Sequence, residues 1–148
     1  MNAKKILFPT DFSHTGDTAL HMAASLARDW GAKLIVAHVE EPPLAYGGGE
    51  MYYGLPEPRT ADLAKMLEEV MPSEAVANCE HRLITGEPSE AIIRLAEAEN
   101  VDLIVMGTHG RTGLSRFLMG SVAEAVVRGA KCPVLTLKQP AEELATKS

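Results

Sequence analysis

Long apolar runs are missing from this sequence. No stretch approaches the ~18 consecutive apolar residues that a membrane-crossing helix needs, so no membrane partner is expected. Met1 to Pro9 carries two lysines, but its apolar run stops at Phe8, and it reads as a strand rather than a signal peptide. Cysteine is scarce: Cys79 and Cys132 are the only two, and no Cys-x-x-Cys spacing occurs. That sets aside a disulfide framework, a zinc ribbon and dithiol redox chemistry, and it fits a reducing, cytoplasmic compartment. Positive charge is also short. A net charge of −6 argues against a general nucleic-acid binder, which needs a basic footprint. The histidines His14, His21, His38, His81 and His109 show no metal-ligand spacing; solvated or core positions account for all of them except His109. Internal repeats and low-complexity tracts are absent too.

What the chain does have is material for one core. Its 148 residues are 46% hydrophobic, which suits a single domain, here 4–138, followed by a polar tail, 139–148. Lys4 to Asp11 reads as a strand ended by Pro9. Ser13 or Thr15 can cap the helix that follows, with Asp17 in its first turn. Its apolar residues Ala19, Met22, Ala23, Leu26, Ala27 and Trp30 fall on one helical face, and Gly31 stops it. Lys33 to Val39 is a second strand, continuously apolar as a parallel strand covered on both sides must be. The connection Glu40 to Glu57 holds Gly47 to Gly49 and Tyr46, Tyr52 and Tyr53; it is either a surface loop or a cover over a ligand. A second helix spans Arg59 to Met71, with Leu63, Met66, Leu67 and Val70 inward. Cys79 to Thr85 alternates weakly and reads as an edge strand. Pro88 opens a third helix, with Ile92, Leu95 and Ala96 inward. Val101 to Met106 is a fourth strand, a fourth helix ends at Gly129, and Pro133 to Lys138 is a fifth strand. This alternation predicts an α/β fold, a Rossmann-like open parallel sheet with helices on both faces. Ligands of such sheets sit outside the carboxyl ends of the strands, where the strand order reverses.

Between the fourth strand and fourth helix lies a glycine-rich stretch, Gly107-Thr108-His109-Gly110-Arg111-Thr112-Gly113, closed by Gly120-Ser121. A strand, such a loop and a helix form a phosphate cradle: amides point inward, no β-carbon blocks approach, and the helix dipole favours an anion. The spacing is Gly-x2-Gly-x9-Gly-Ser. It is not a P-loop, because no lysine follows the last glycine, and it is not the Gly-x-Gly-x-x-Gly of dinucleotide folds. The competing reading is turn chemistry alone, with glycine serving a positive φ. Charge supports the cradle. Leu103 to Lys138 holds Arg111, Arg116, Arg128, Lys131 and Lys138 against the single acid Glu124, a local surplus of four positive charges that leaves the remainder at −10. A local basic field in an acidic protein suits a small anion.

Taken together, Leu7-Phe8-Pro9-Thr10-Asp11-Phe12-Ser13, the glycine motif, Gly120-Ser121-Val122-Ala123 and Cys132-Pro133-Val134 resemble a universal stress protein from Lys4 to Lys138. The resemblance implies a five-stranded sheet of order 3-2-1-4-5 and a homodimer through the last strand, Val134 to Leu137. The intact motif is that of the ATP-binding members. By the same resemblance Gly107, Gly110 and Gly120 let the backbone approach phosphates and ribose. Ser121 and the Val122 N–H meet a phosphate, Pro9 and Thr10 line the nucleoside pocket, and Val39 meets the adenine. Asp11 holds the nucleoside or, through water, a Mg2+ or Mn2+ ion on the phosphates, its competing role being a helix-start cap. His109 and Arg111 can touch phosphate. Phe12 is bulkier than the small residue expected in its turn.

ATP binding does not make an ATPase, because phosphoryl transfer needs a positioned nucleophile and a cationic clamp. No P-loop lysine exists, and Asp11 to Gly16 matches neither a His-x-Gly-His nor a Ser-Gly-Gly-x-Asp-Ser signature. The expectation is therefore a nucleotide-dependent stress-response or signalling module. The alternatives are a slow ATP hydrolase or phosphotransferase using Asp11 and a divalent cation, and a ligand-free structural dimer.

Overall fold

The computed structural model describes residues 2–13, 17–42, 60–108 and 119–138. The order of elements is β1 (Lys5–Pro9), α1 (Asp17–Trp30), β2 (Lys33–Glu40), α2 (Thr60–Glu68), β3 (Cys79–Thr85), α3 (Pro88–Ala98), β4 (Leu103–Gly107), α4 (Ser121–Gly129) and β5 (Val134–Leu137). The strands form one parallel sheet of order β3-β2-β1-β4-β5, as the resemblance implied. β3 lies at one edge and β5 at the other.

Side chains alternate between the two faces of each strand. Ile6, Phe8, Leu34, Val36, Leu103 and Val105 form one buried layer with the alanines of α1 and with Leu67 of α2. Leu7, Ile35, Ala37, Ile104 and Met106 form the other with Ile92, Leu95 and Ala96 of α3 and Ala123 and Val126 of α4. Right-handed crossovers explain the split: α1 and α2 connect strands stepping one way from β1 and share a face, and α3 and α4 lead to strands stepping the other way and share the opposite face.

Helix ends follow local chemistry. Gly31, at φ 64, ends α1, and Ala32 N–H returns to the Ala27 carbonyl at 2.8 Å, the left-handed cap that glycine favours. Asn100, at φ 54, ends α3 in the same way, with Val101 N–H on Ala96 O at 2.9 Å. That bond corrects the expected start of the fourth strand. Val101 is spent on the helix cap, and Asp102 Oδ2 accepts from the N–H groups of Lys4 and Lys5, so the strand begins at Leu103. Two inward assignments also fail. Met22 and Met66 are each 39% exposed; Ala19, Ala23, Ala24 and Ala27 bring α1 so close to the sheet that longer side chains lie at its flank. The second helix ends at Glu68 rather than Met71, and there the chain tightens, with Val70 N–H on Leu67 O at 3.0 Å; Arg59 lies outside the described residues. Ser13 Oγ donates to Asp11 Oδ1; residues 14–16 (the other cap candidate, Thr15, among them), the tyrosine-bearing part of the Glu40 to Glu57 connection and the tail 139–148 lie outside the described residues. Among the described residues no helix is long and apolar enough to cross a membrane.

Candidate functional site

The sheet forks at its carboxyl rim. The β1–β4 register runs through Ile6↔Leu103 and Leu7↔Ile104 and ends, although β1 continues to Pro9 and β4 to Gly107. On the outer sides pairing persists. Pro9 stays opposite Ala37 and Thr10 N–H reaches Ala37 O at 2.7 Å. Gly107 stays opposite Leu137 and Thr108 N–H reaches Leu137 O at 3.0 Å. Proline supplies the cause. Thr10 N–H points at β2 and Lys5 O points at β4, where it accepts from Asp102. Alternation then aims position 9 at β4, and Pro9 has no N–H to give there. The ladder stops, and a crevice opens between the two central strands. This is the point where the strand order reverses, the usual ligand position in open α/β sheets.

On the β1 wall, Thr10, Asp11 and Ser13 form a tight turn. Thr10 Oγ1 accepts from Phe12 N–H at 3.0 Å, and Asp11 Oδ1 accepts from Ser13 N–H at 2.9 Å and Ser13 Oγ at 2.5 Å. Phe12 sits at φ 68. His38 reaches this turn from β2, with Nδ1 2.7 Å from Thr10 O and its ring centroid 4.2 Å from that of Phe12. Val39 follows it on β2, opposite Ile84. Behind the turn, a cavity of ≈ 260 Å³ is bordered by Thr10, Phe12 and Ser13 and, on the α2 side, by Met66, Glu69 and Val70; among the described residues Gly107, Thr108, Gly120 and Ser121 do not line it.

On the β4 wall, Gly120 N–H donates to Thr108 O at 2.6 Å. Gly120 is the residue before α4, at φ −65 and ψ 156, and no side chain caps the helix. The first intrahelical bond is Glu124 N–H to Gly120 O, so the amides of Ser121, Val122 and Ala123 have no partner within the helix. Val122 packs its side chain against the core, which leaves only its backbone for a ligand. Among the described residues the glycines at positive φ are Gly31 and Gly86, not Gly107 or Gly120. Turn geometry therefore does not require glycine at these two positions. His109, Gly110 and Arg111 lie outside the described residues.

The structure thus brings Pro9, Thr10 and Asp11 to one lip of the crevice, Gly107, Gly120 and Ser121 to the other, and Val39 to the β2 flank. Sequence reasoning assigned His38 to a core or solvated position and missed its contact with the turn. The signal was present: a histidine breaks an apolar run at a strand's carboxyl end. Neither thiol is activated. Burial pushes both Cys79 and Cys132 up from the ordinary thiol value, which disfavours thiolate.

An open doubly wound sheet with a forked rim and an uncapped helix facing the fork defines a class of anion- and nucleotide-binding α/β folds. Comparison with known proteins narrows it: the model of the Universal stress protein family matches residues 2–138, and the chain belongs to that family. Universal stress protein MJ0531 of Methanocaldococcus jannaschii is 36% identical over 145 residues, 95% of this chain and 85% of the relative. The solved structure of MJ0577 from the same organism shares 32% identity at a TM-score of 0.71, covering 95% of this chain and 99% of that one. A universal stress protein from Archaeoglobus fulgidus, solved in complex with dAMP, shares 25% identity at a TM-score of 0.67, covering 93% and 100%.

Proposed function

We propose that this protein binds ATP in the crevice between β1 and β4 and acts as a nucleotide-dependent stress-response module of the cytoplasm. The observation that carries the reading is the pairing of a forked rim with three unspent amides at the start of α4. Those amides and the helix dipole stabilise phosphate charge without a cationic side chain. The dAMP held by the A. fulgidus relative supports an adenine nucleotide as the ligand class.

In this reading Gly107, Gly110 and Gly120 admit the phosphates and ribose to backbone distance. Ser121 adds its hydroxyl, and His109 and Arg111 add charge. Pro9 and Thr10 line the nucleoside pocket, and Val39 offers backbone and side chain to the adenine. A Mg2+ or Mn2+ ion fits only as a companion of the phosphates. Asp11 Oδ1 is engaged by Ser13, and no group of three metal-binding side chains forms among the described residues, so the ion takes most of its oxygens from phosphate and water. The active unit is a homodimer paired through β5.

The test is the nucleotide content of the purified protein, released by boiling and separated by chromatography. ATP supports the module. ADP or AMP favours the slow hydrolase, and no nucleotide favours a ligand-free dimer. Replacing Gly110 and Gly120 with valine abolishes retention with unchanged helix content; retention that survives this change places the site elsewhere.

A further inference from the structure

β2 is buried and apolar from Leu34 to Ala37, and then His38 follows, 7% exposed. It is the one titratable side chain buried to that degree among the described residues. An apolar residue of similar size would pack there without the desolvation cost of an imidazole. What the imidazole adds is geometry. Its Nδ1 donates to the Thr10 carbonyl at 2.7 Å, and a carbonyl only accepts, so this nitrogen carries the proton. Its ring lies against Phe12, with an interplanar angle of 38°. Both contacts fall in the turn beyond β1. The β1–β2 ladder ends at Pro9↔Ala37 and the Thr10 N–H bond, so His38 is the cross-link that carries the β2 rim past the ladder's end. Val39 is its neighbour in the chain.

We infer that His38 is a positioning residue for nucleotide binding. It fixes the Thr10 carbonyl and backs the Phe12 ring, so that Thr10 and Asp11 on one side and Val39 on the other stand at a set spacing before the nucleoside arrives. This rests on the ATP-site reading above and adds to it the residue that pre-organises the nucleoside half. Pre-organisation raises affinity by removing the ordering cost from the binding step.

The test uses the full chain, ATP with Mg2+ as the probe, titration calorimetry for affinity, and the melting temperature without nucleotide. In His38→Asn the side-chain amide nitrogen can stand where Nδ1 stands. In His38→Gln it reaches one bond farther, and His38→Leu has no donor. The expected result is His38→Asn within about threefold of the parent affinity, and His38→Gln and His38→Leu weaker by about tenfold or more, because the Thr10 carbonyl loses its partner. A purely structural role predicts affinities that follow melting temperature across the three variants. His38→Leu binding like the parent, or His38→Asn as weak as His38→Gln, overturns the inference. If His38→Leu does not fold, the Asn and Gln pair decides. A parent protein that binds no nucleotide sinks the ATP-site reading and this one with it; a parent that binds, with all three variants equal to it, sinks this one alone.

Discussion

Gly120 donates its backbone N–H to the Thr108 carbonyl at 2.6 Å, a bond that ties the start of α4 to the end of β4. At φ −65 the backbone conformation does not require glycine, and in the proposed ATP site the residue serves access. Gly120→Asp separates the two roles. The aspartate caps the amides of Val122 and Ala123 and meets the helix dipole, raising stability by a few tenths of a kcal/mol up to about 1. If phosphate binds there as proposed, the same carboxylate occupies its position and repels the anion. Urea denaturation should show the gain while calorimetry shows no ATP binding. A stabilised variant that still binds ATP would remove α4 from the site.

Phe12 reverses a familiar order. Its φ of 68 costs a residue with a β-carbon about 1 kcal/mol. Phe12→Ala keeps that cost and loses the contact with His38, for a total loss of about 2 kcal/mol. Phe12→Gly loses the same contact but relieves the backbone, and should be the more stable of the two by about 1 kcal/mol. Equilibrium unfolding of the pair measures this, and an alanine variant equal to or above glycine contradicts it.

These cases also mark what could be read from the chain. The parallel sheet was legible because Lys33 to Val39 and the run before Gly107 are too continuously apolar for anything but covered strands. The place of Gly107 and Gly120-Ser121 at the β4 lip was legible because the strand before them and the helix after them are local signals. Three things were not. The inward stripe of α1 depends on how close alanines draw a helix to a sheet, so Met22 looked equivalent to Ala23. Val101 looked like strand because its N–H partner, Ala96 O, belongs to the preceding helix. His38 looked like core because its partner Thr10 lies 28 positions away, and only the β1–β2 register brings them together.

Gly129 offers a packing test. A β-carbon there would stand 2.7 Å from Ile93 Cδ1 of α3, with Cγ1 clear at 3.9 Å. Its φ is not positive, so alanine is permitted by the backbone and favoured by helix propensity, by about 1 kcal/mol in a helix interior and less at this end. The crowding offsets that gain. Ile93→Val removes the one offending methyl. Gly129→Ala should therefore be more stable in an Ile93→Val background than the two single changes summed, with a coupling of about 1 kcal/mol. A double-mutant cycle reporting no coupling would mean that α3 and α4 shift apart freely.

Acid should weaken the fold through three carboxylates. Glu87 is held below the ordinary carboxylate range first by the Glu90 N–H and then by the Ser89 hydroxyl at the start of α3. Glu80 is held down chiefly by Lys33, and Glu74 by His21. A lowered folded pKa gives stability that is complete above the unfolded value and is lost as pH falls through the folded one. Glu87 is exposed, so solvent screening holds its share to about 0.5 kcal/mol. Glu87→Gln should be less stable than the parent by that amount at neutral pH, and the two should converge below the ordinary carboxylate range. A difference that persists unchanged into acid would assign the loss to packing.

The free edge of β5 carries the last prediction. Pro133 O and Leu137 O accept from Ile104 and Thr108 N–H, so by alternation Leu135 also faces β4, and Val134 and Thr136 turn their N–H and C=O groups outward. All four residues of β5 are half-buried in the single chain, and an apolar open edge invites pairing. A second copy laid along this edge satisfies those groups. Thr136→Pro deletes the outward N–H and leaves every bond to β4 in place. Light scattering should give a dimer mass for the parent and a monomer mass for Thr136→Pro, with the far-ultraviolet dichroism of the two alike. A proline variant that stays dimeric at the parent's concentration dependence would move the interface off β5.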